Sequence, residues 1–450
     1  MRHGLEDKGH TKREHGAIAR DVDIDALPPN LDINDEFKSA FDLMENTSTP
    51  IFITGKAGTG KSTLLKYFRA NTKKKIVIVA PTGIAAVNVG GQTIHSFFKF
   101  PPTIIQKDVI RRLRNSNLIE KLDMVIIDEV SMVRADLMDG IDYSLRLNRG
   151  EMKKPFGGVQ MVLFGDLFQL CPIVGREIKP ILDQLYPSPY FFSAKAFNDF
   201  DIKYIELSKI YRQKDGKFVA LLNRLRNKEH TEEDLDLLNE RFNKVSSGSA
   251  AVVLTTTNSI AGSINEDRLA KLPGKEYRYK ATVSGKFDES AYPTETSLRL
   301  KKGAQVILIK NDPAGQWVNG TLAIVDSLKS DMIKVDINGR ICEVPQVKWQ
   351  KIEYNFNEDE DKVEENAVGV FEQYPIKLAW AITIHKSQGQ TFDKVALDLG
   401  HGAFTHGQVY VALSRCTSLK GITLKRPVIH SDIIFDERIY EYRNRFTTHS

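Results

Sequence analysis

The 450-residue sequence predicts an α/β protein of two parallel-sheet domains, the second interrupted by a small all-β barrel. Three observations carry this. A glycine-rich phosphate-binding pattern follows an apolar strand, apolar runs alternate with helical segments toward both ends of the chain, and one interval between them holds strands without helices. The length exceeds what one hydrophobic core usually serves, and a 41% apolar content can fill more than one.

Residues 1–30 are polar, lack periodicity and end in Pro28-Pro29, which reads as a flexible N-terminal arm. A helix follows on the spacing of Leu31, Phe37, Phe41 and Met44, and it closes at Thr49-Pro50. Apolar runs at 76–80, 124–127, 159–164 and 202–207 then alternate with helical or loop segments, completing a first domain over residues 31–207. A second series opens with a helix at 217–227 and a strand at 251–255, and it resumes with strands at 394–399 and 421–424. The second domain is therefore expected over 208–299 and 375–450. Between these pieces, short strands at 304–309, 320–327, 332–335 and 340–344, with Asn338-Gly339 as a hairpin turn, read as an inserted barrel of the Src-homology-like kind over 300–374. The acidic run 358–365 inside it reads as a solvated loop.

Residues Gly55, Lys56, Ala57, Gly58, Thr59, Gly60, Lys61 and Ser62 fill every fixed place of G-x-x-x-x-G-K-[ST] directly after Ile51-Phe52-Ile53. Glycines let backbone N–H groups wrap phosphates, Lys61 reaches the β and γ oxygens, and the Ser62 hydroxyl suits Mg²⁺ at a helix N-terminus that Thr63 continues. The strand 124–127 ends in Asp128-Glu129, where one carboxylate can hold the Mg²⁺ shell, through water, and the next can polarise an attacking water. The following strand ends in Gly165-Asp166-Leu167-Phe168-Gln169, placing Gln169 either as a γ-phosphate sensor or as a turn cap.

Charge narrows the partners only weakly: 63 Lys and Arg against 58 Asp and Glu allow a polyanion without demanding one. Cys171, Cys342 and Cys416 lie far apart without C-x-x-C spacing, which fits a reducing compartment and neither a disulfide framework nor a zinc site. No apolar run approaches ~18 residues and the N-terminus has no apolar core, so a soluble intracellular protein without a membrane span is expected.

The segments APTGIAAVNVGGQTIHSFF (80–98), IIDEVSMVRADLMD (126–139), FGGVQMVLFGDLFQL (156–170), WAITIHKSQGQTFD (380–393) and GQVYVALSRCTS (407–418) resemble the helicase motifs of the Pif-one family. The stretch Arg134-Ala135-Asp136-Leu137 resembles a signature of that family. The resemblance implies two RecA-like P-loop NTPase domains and a monomeric, ATP- and Mg²⁺-driven, 5′-to-3′ DNA helicase of superfamily one, acting in repair or recombination. It would act in the cytoplasm or nucleoid of a bacterium, or in the nucleus or mitochondrion of a eukaryote. It further implies that Arg212 and Arg415 reach the γ-phosphate from the second domain and that Gln388 belongs to the nucleotide cleft. Either arginine viewed alone fits a surface ion pair better.

Single-stranded and forked DNA are the implied partners, with G-quadruplexes and RNA–DNA hybrids as further candidates. By the same resemblance Thr82, Gly83 and His95 contact the strand from the first domain, and Thr383, His385 and Lys386 from the second. Hydroxyl, backbone N–H and cationic groups suit a sequence-blind phosphate track. Thr82 also fits a helix cap and His95 a core histidine. The basic, Phe-rich insertion at 97–121 reads either as a DNA-facing wedge or as a solvated helix. An RNA or hybrid helicase and a nucleic-acid-independent nucleotide switch are the competing functions. One departure from the family is the absence of an adenine-reading glutamine in LDINDEFKSAF, which loosens the expectation of strict ATP preference, and another is Cys171 in place of a turn proline.

Overall fold

The computed structural model describes residues 33–113, 116–175, 177–198, 200–211, 215–244 and 251–447; the expected N-terminal arm and Arg212 lie outside these residues. Helix α1 (Asp35–Asn46) starts because the Asn34 side chain accepts from Phe37 N–H at 2.8 Å, and Phe37, Ala40 and Met44 form its buried face. Strands β1 (Ile51–Gly55), β2 (Ile76–Ala80), β3 (Gln92–Thr93), β4 (Met124–Ile127), β5 (Gln160–Phe164) and β6 (Lys203–Leu207) form one parallel sheet in the order β3-β2-β4-β5-β1-β6. β1, β4 and β5 are buried at every position, as strands covered on both faces must be. Helices α2 (Lys61–Asn71), α3 (Gly83–Asn88), α4 (Ile94–Phe98), α5 (Ser116–Lys121), α6 (Ala135–Arg149) and α7 (Lys179–Leu185) connect them.

Helices α8 (Gly216–Asn227) and α9 (Glu232–Asn239) lead to β7 (Val252–Thr255) and α10 (Asn258–Lys271). The chain then turns antiparallel at Tyr277, ahead of residue 300, where the strand pattern in the sequence first becomes plain. β8 (Tyr277–Lys280), β9 (Thr282–Gly285) and β10 (Ser297–Leu300) precede β11 (Gln305–Leu308), β12 (Leu322–Leu328), β13 (Ile333–Ile337) and β14 (Arg340–Val344). β15 (Val347–Asn357), β16 (Lys362–Gln373) and β17 (Ile376–Leu378) complete the insertion. The largest of its sheets runs β14-β13-β12-β11-β17. Asn338 and Gly339, both at positive φ (54° and 89°), make the tight turn between β13 and β14.

β18 (Ala381–Thr383), β19 (Val395–Asp398) and β20 (Ile422–Leu424) return to β7 as a second parallel sheet, β18-β7-β19-β20, with α11 (Gln408–Ser414) between β19 and β20. The final helix, α12 (Glu437–Thr447), leaves that sheet and packs on the first domain. Tyr442 stacks on Phe192 at 4.3 Å, Phe446 on Tyr204 at 4.9 Å, and Tyr190 donates to Asp436 at 2.9 Å.

The acidic run is a solvated loop only in part: 358–361 form an exposed turn, and 362–365 belong to a strand. Residues 358–361 turn a hairpin whose arms, β15 and β16, are 11 and 12 residues long, enough to reach roughly 36 Å. Its tip docks on the first domain through Asp361 with Lys75 (2.6 Å), Glu365 with Arg69 (2.6 Å) and Glu358 with Asn117. Two of the carboxylates thus meet cations of the first domain, while Glu360 and Glu364 pair with Lys362 of the hairpin itself. Farther along the hairpin the Tyr354 hydroxyl accepts from Ile78 N–H at 3.2 Å, closing the part of the β2 edge that the short β3 leaves uncovered.

The insertion at 97–121 follows neither expectation in full. Phe97, Phe98 and Phe100 are buried in the first-domain core, with Phe98 and Phe100 stacked at 5.4 Å, so the aromatics face protein. The described basic residues stay at the surface, Lys99 3.6 Å from Glu353 and Arg112 3.2 Å from Glu120, and Arg114 lies outside the described residues. The signature residues hold this segment in place: Arg134 forms a bidentate pair with the buried Asp136 (2.8 Å each) and donates to Thr103 O. Asp136 in turn accepts from Ile105 N–H.

Candidate nucleotide cleft and nucleic-acid track

The phosphate loop joins β1 to α2, and its shape depends on glycine. Gly58 and Gly60 both have φ 86°, and a Cβ on Gly55 would lie 2.6 Å from Thr59 Oγ1 and 2.7 Å from Leu207 O. Lys61 donates to Gly55 O (2.7 Å) and Lys56 O (3.2 Å), while Thr59 Oγ1 donates to Lys56 O at 2.9 Å. Ser62 and Thr63 stand on the first turn of α2, Ser62 exposed. Beside the loop, Tyr211 N–H donates to Gly58 O at 2.8 Å, and the Tyr211 hydroxyl accepts from Asn34 at 3.3 Å.

β4 delivers Asp128 and Glu129 to the same edge of the sheet. Glu129 adopts a left-handed backbone (φ 50°, ψ 43°), which costs a non-glycine residue roughly 1 kcal/mol and turns it out of the strand direction. Burial, then the Glu129 charge, pushes Asp128 above the usual carboxylate range; burial also pushes Glu129 up, against the pull of Lys61 and Arg415. Asp128 and Glu129, half-buried and within reach of the Lys61 charge, and the exposed hydroxyl of Ser62 next to Lys61 in sequence are hard-oxygen groups of the kind that suit Mg²⁺ with phosphate oxygens.

Gln169 is buried and donates to Asp166 Oδ2 at 3.1 Å. Asp166 accepts from Arg226 of α8 at 3.1 Å, with both side chains essentially inaccessible and the guanidinium 4.1 Å over the Phe168 ring. Burial works against the Asp166 charge, but Arg226 and Lys61 outweigh it and hold the carboxyl below its ordinary range. An ion pair this deep fixes geometry more than it stabilises, and removing one partner costs about 3–5 kcal/mol.

From the second sheet Arg415, at the end of α11, is fully buried; it donates to Val411 O (3.0 Å) and Ser414 Oγ (2.9 Å) and lies 3.5 Å from Ser387 O. Gln388 has a buried side-chain N–H with no hydrogen-bond partner among the described residues. Motif spacing did not reveal two further groups here. Tyr410 accepts from Ala57 N–H at 3.2 Å, and Gly407 approaches the first domain so closely that a Cβ would lie 2.5 Å from Phe168 O. Their partners are hundreds of residues away in sequence, so only the presence of both residues in the GQVYVALSRCTS segment could have drawn attention to them.

The residues assigned to the strand are placed differently. Thr82 N-caps α3 by accepting from Ala85 N–H (3.2 Å), and Gly83 lies where a Cβ would be 2.7 Å from Ala291 Cβ of the insertion. His95, on α4, is half-buried and kept below its ordinary pKa by burial and then by Arg134. At the end of β18, Thr383 is buried and accepts from Lys386 N–H (3.2 Å), His385 is half-buried and pushed down by burial, and Lys386 is exposed. β3, which leads into His95, and β18 are edge strands of their sheets, whereas Thr82 and Gly83 follow β2, one strand in from the edge.

The model of the PIF1-like helicase family matches residues 32–236, and a second helicase family model matches residues 350–436. The ATP-dependent DNA helicase PIF1 of Homo sapiens is 34% identical over 393 residues, covering 83% of this chain, which spans 57% of that protein's length. The ATP-dependent DNA helicase Pif1 of Bdellovibrio bacteriovorus is 32% identical over 436 residues, 92% of each chain. Pif1 from Bacteroides sp in complex with ADP-AlF4 superposes with a TM-score of 0.87 at 36% identity, over 94% of this chain and 98% of that one. The same Bacteroides protein bound to ssDNA superposes at only 0.67 with the same identity, a difference of arrangement and not of sequence.

Proposed function

The chain belongs to the PIF1-like helicase family, and from that premise we propose that it is an ATP-dependent DNA helicase that moves 5′ to 3′ on single-stranded DNA. The observation that carries this reading is the cleft itself. The charges of Lys61 from the first domain and of Arg415 from the second both act on Glu129, which supports a site shared by hydrolysis and domain closure.

The loop N–H groups and Lys61 would hold the phosphates of ATP, and Ser62 and, through water, Asp128 are the residues that would hold Mg²⁺. The ion, when bound, neutralises charge on the phosphate oxygens. Glu129 orients the attacking water, and its raised pKa suits a group that takes up a proton. Arg415, and Arg212 by the family resemblance, meet charge that develops on the transferring phosphoryl group.

Single-stranded and forked DNA are the proposed partners, along a track from Thr82, Gly83 and His95 to Thr383, His385 and Lys386. Ala291 sits on Gly83, so a strand reaching that glycine requires the contact to open. The lower similarity to the ssDNA-bound relative than to its nucleotide-analogue complex supports such a rearrangement. The antiparallel insertion, read as a small barrel with a long hairpin, is then the moving part.

The test is unwinding of matched duplexes carrying only a 5′ or only a 3′ single-stranded tail, with DNA, RNA–DNA and G-quadruplex versions. ATP-dependent unwinding of the 5′-tailed DNA is expected. Faster unwinding from the 3′ tail overturns the polarity, and an ATPase indifferent to single strands overturns the helicase reading in favour of a nucleotide switch.

A further inference from the structure

Helix α11 carries Arg415 at its C-terminal end, and two contacts fix it against the first domain before that arginine is reached. At its start Gly407 (φ 70°) replaces a side chain with contact: a Cβ there would lie 2.5 Å from Phe168 O and 2.8 Å from Gln169 O. One turn later the Tyr410 hydroxyl accepts from the backbone N–H of Ala57, inside the phosphate loop, at 3.2 Å. Residues Gln408 to Arg415 are all buried, so the helix has no solvent-facing side on which to slide. Arg415 follows five residues after Tyr410, and its Nε is bonded to Val411 O of the same helix, so its position is inherited from the helix.

We propose that Tyr410 is a positioning residue for ATP hydrolysis: its hydroxyl keys α11 to the phosphate loop and thereby sets where Arg415 meets the γ-phosphate. The proposal rests on the ATPase reading above. The phenol suits the task, because it presents an oxygen to a loop N–H without adding charge. Burial pushes its pKa up to about 12, so it stays neutral across the working range. A lone aromatic contact would anchor the helix by area; the hydroxyl anchors it to one backbone atom of the loop.

The experiment is steady-state DNA-stimulated ATPase for the wild-type chain, Tyr410→Phe, Arg415→Lys and the double variant. Phenylalanine keeps the ring and removes only the oxygen. Expected for Tyr410→Phe is a kcat about 10-fold lower with KM for ATP within about 3-fold, since the arginine acts on the transition state and not on ground-state binding. The double variant should fall no further than Arg415→Lys alone, within about 2-fold, because one residue acts through the other. Unchanged kcat in Tyr410→Phe overturns the proposal. So does a double variant in which the two losses multiply, which is also what general loss of fold would give. If the wild-type chain itself fails to hydrolyse ATP, the failure lies with the ATPase reading and not with Tyr410.

Discussion

The nucleotide cleft and the proposed nucleic-acid track set similar side chains in opposite surroundings. In the cleft, Asp166, Gln169, Arg226, Tyr410 and Arg415 are buried, each bonded to a fixed partner, so charge and dipoles are in place before any reaction. Along the track, Thr82 and Thr383 cap local backbone, His95 and His385 are half-buried, and Lys386 stands in solvent. A site that stabilises a transition state gains from fixed dipoles, whereas one that grips and releases a polymer at each step gains from weak, exposed and separable contacts.

That contrast can be broken or sharpened by substitution. The largest effect belongs to the cleft carboxylate: Glu129→Gln should retain ATP binding and lose at least ~10³-fold in turnover, while Lys61→Ala should lose both. Nucleotide affinity measured beside single-turnover hydrolysis separates the two, and normal turnover in Glu129→Gln would remove that residue from the chemistry. Next, Arg415→Ala should lower kcat by about 10²–10³ with KM changed less than about 3-fold. A pure KM effect would make it a binding residue of the kind found on the track.

Acid should test burial at the cleft rim. His406 accepts from Asp436 N–H, and burial pushes it down from 6.5 to about 4. A depressed histidine contributes stability that is full above pH 6.5 and lost on acidification toward pH 4, about 3 kcal/mol in all. Urea melts across that window should show the loss, and His406→Asn should flatten it.

On the track the effects shrink. Lys386→Ala should reduce the slope of log K against log salt by about 0.7 for a single-stranded oligonucleotide; an unchanged slope places Lys386 off the strand. Smallest of all, Glu365→Gln should cost less than about 1 kcal/mol in a chemical melt, because the pair with Arg69 is only partly buried. A larger loss would mean that the hairpin dock is as rigid as the cleft.

The same contrast explains what could be read in advance. The phosphate loop is a local object, and β2 and β4 came out at their observed limits because buried parallel strands are continuous apolar runs. Asp128, Glu129 and Gln169 could be singled out because they follow strand ends, and Arg415 because its segment resembles a family motif. The partners were not legible: Arg226 with Asp166 and Tyr410 with Ala57 are made by folding, and no spacing rule links residues so far apart. The hairpin was missed for a different reason. β16 reads KVEENAVGVFEQ, a charged sequence without clean alternation, and its acidic end looks solvated until Lys75 and Arg69 of another domain are brought to it.

The Tyr354 hydroxyl that caps Ile78 N–H lies 276 residues further along the chain. During synthesis the first sheet can therefore fold well before its edge is closed, and at ~5–20 residues per second the ribosome needs about 14–55 s to supply the closing residue. Through that interval the nascent domain carries an open β-edge, the feature that invites pairing with a neighbouring chain. The β15–β16 hairpin thus has a part to play before any nucleotide or DNA is met: its arrival covers that stretch of the β2 edge, and chains truncated short of it are expected to aggregate more readily.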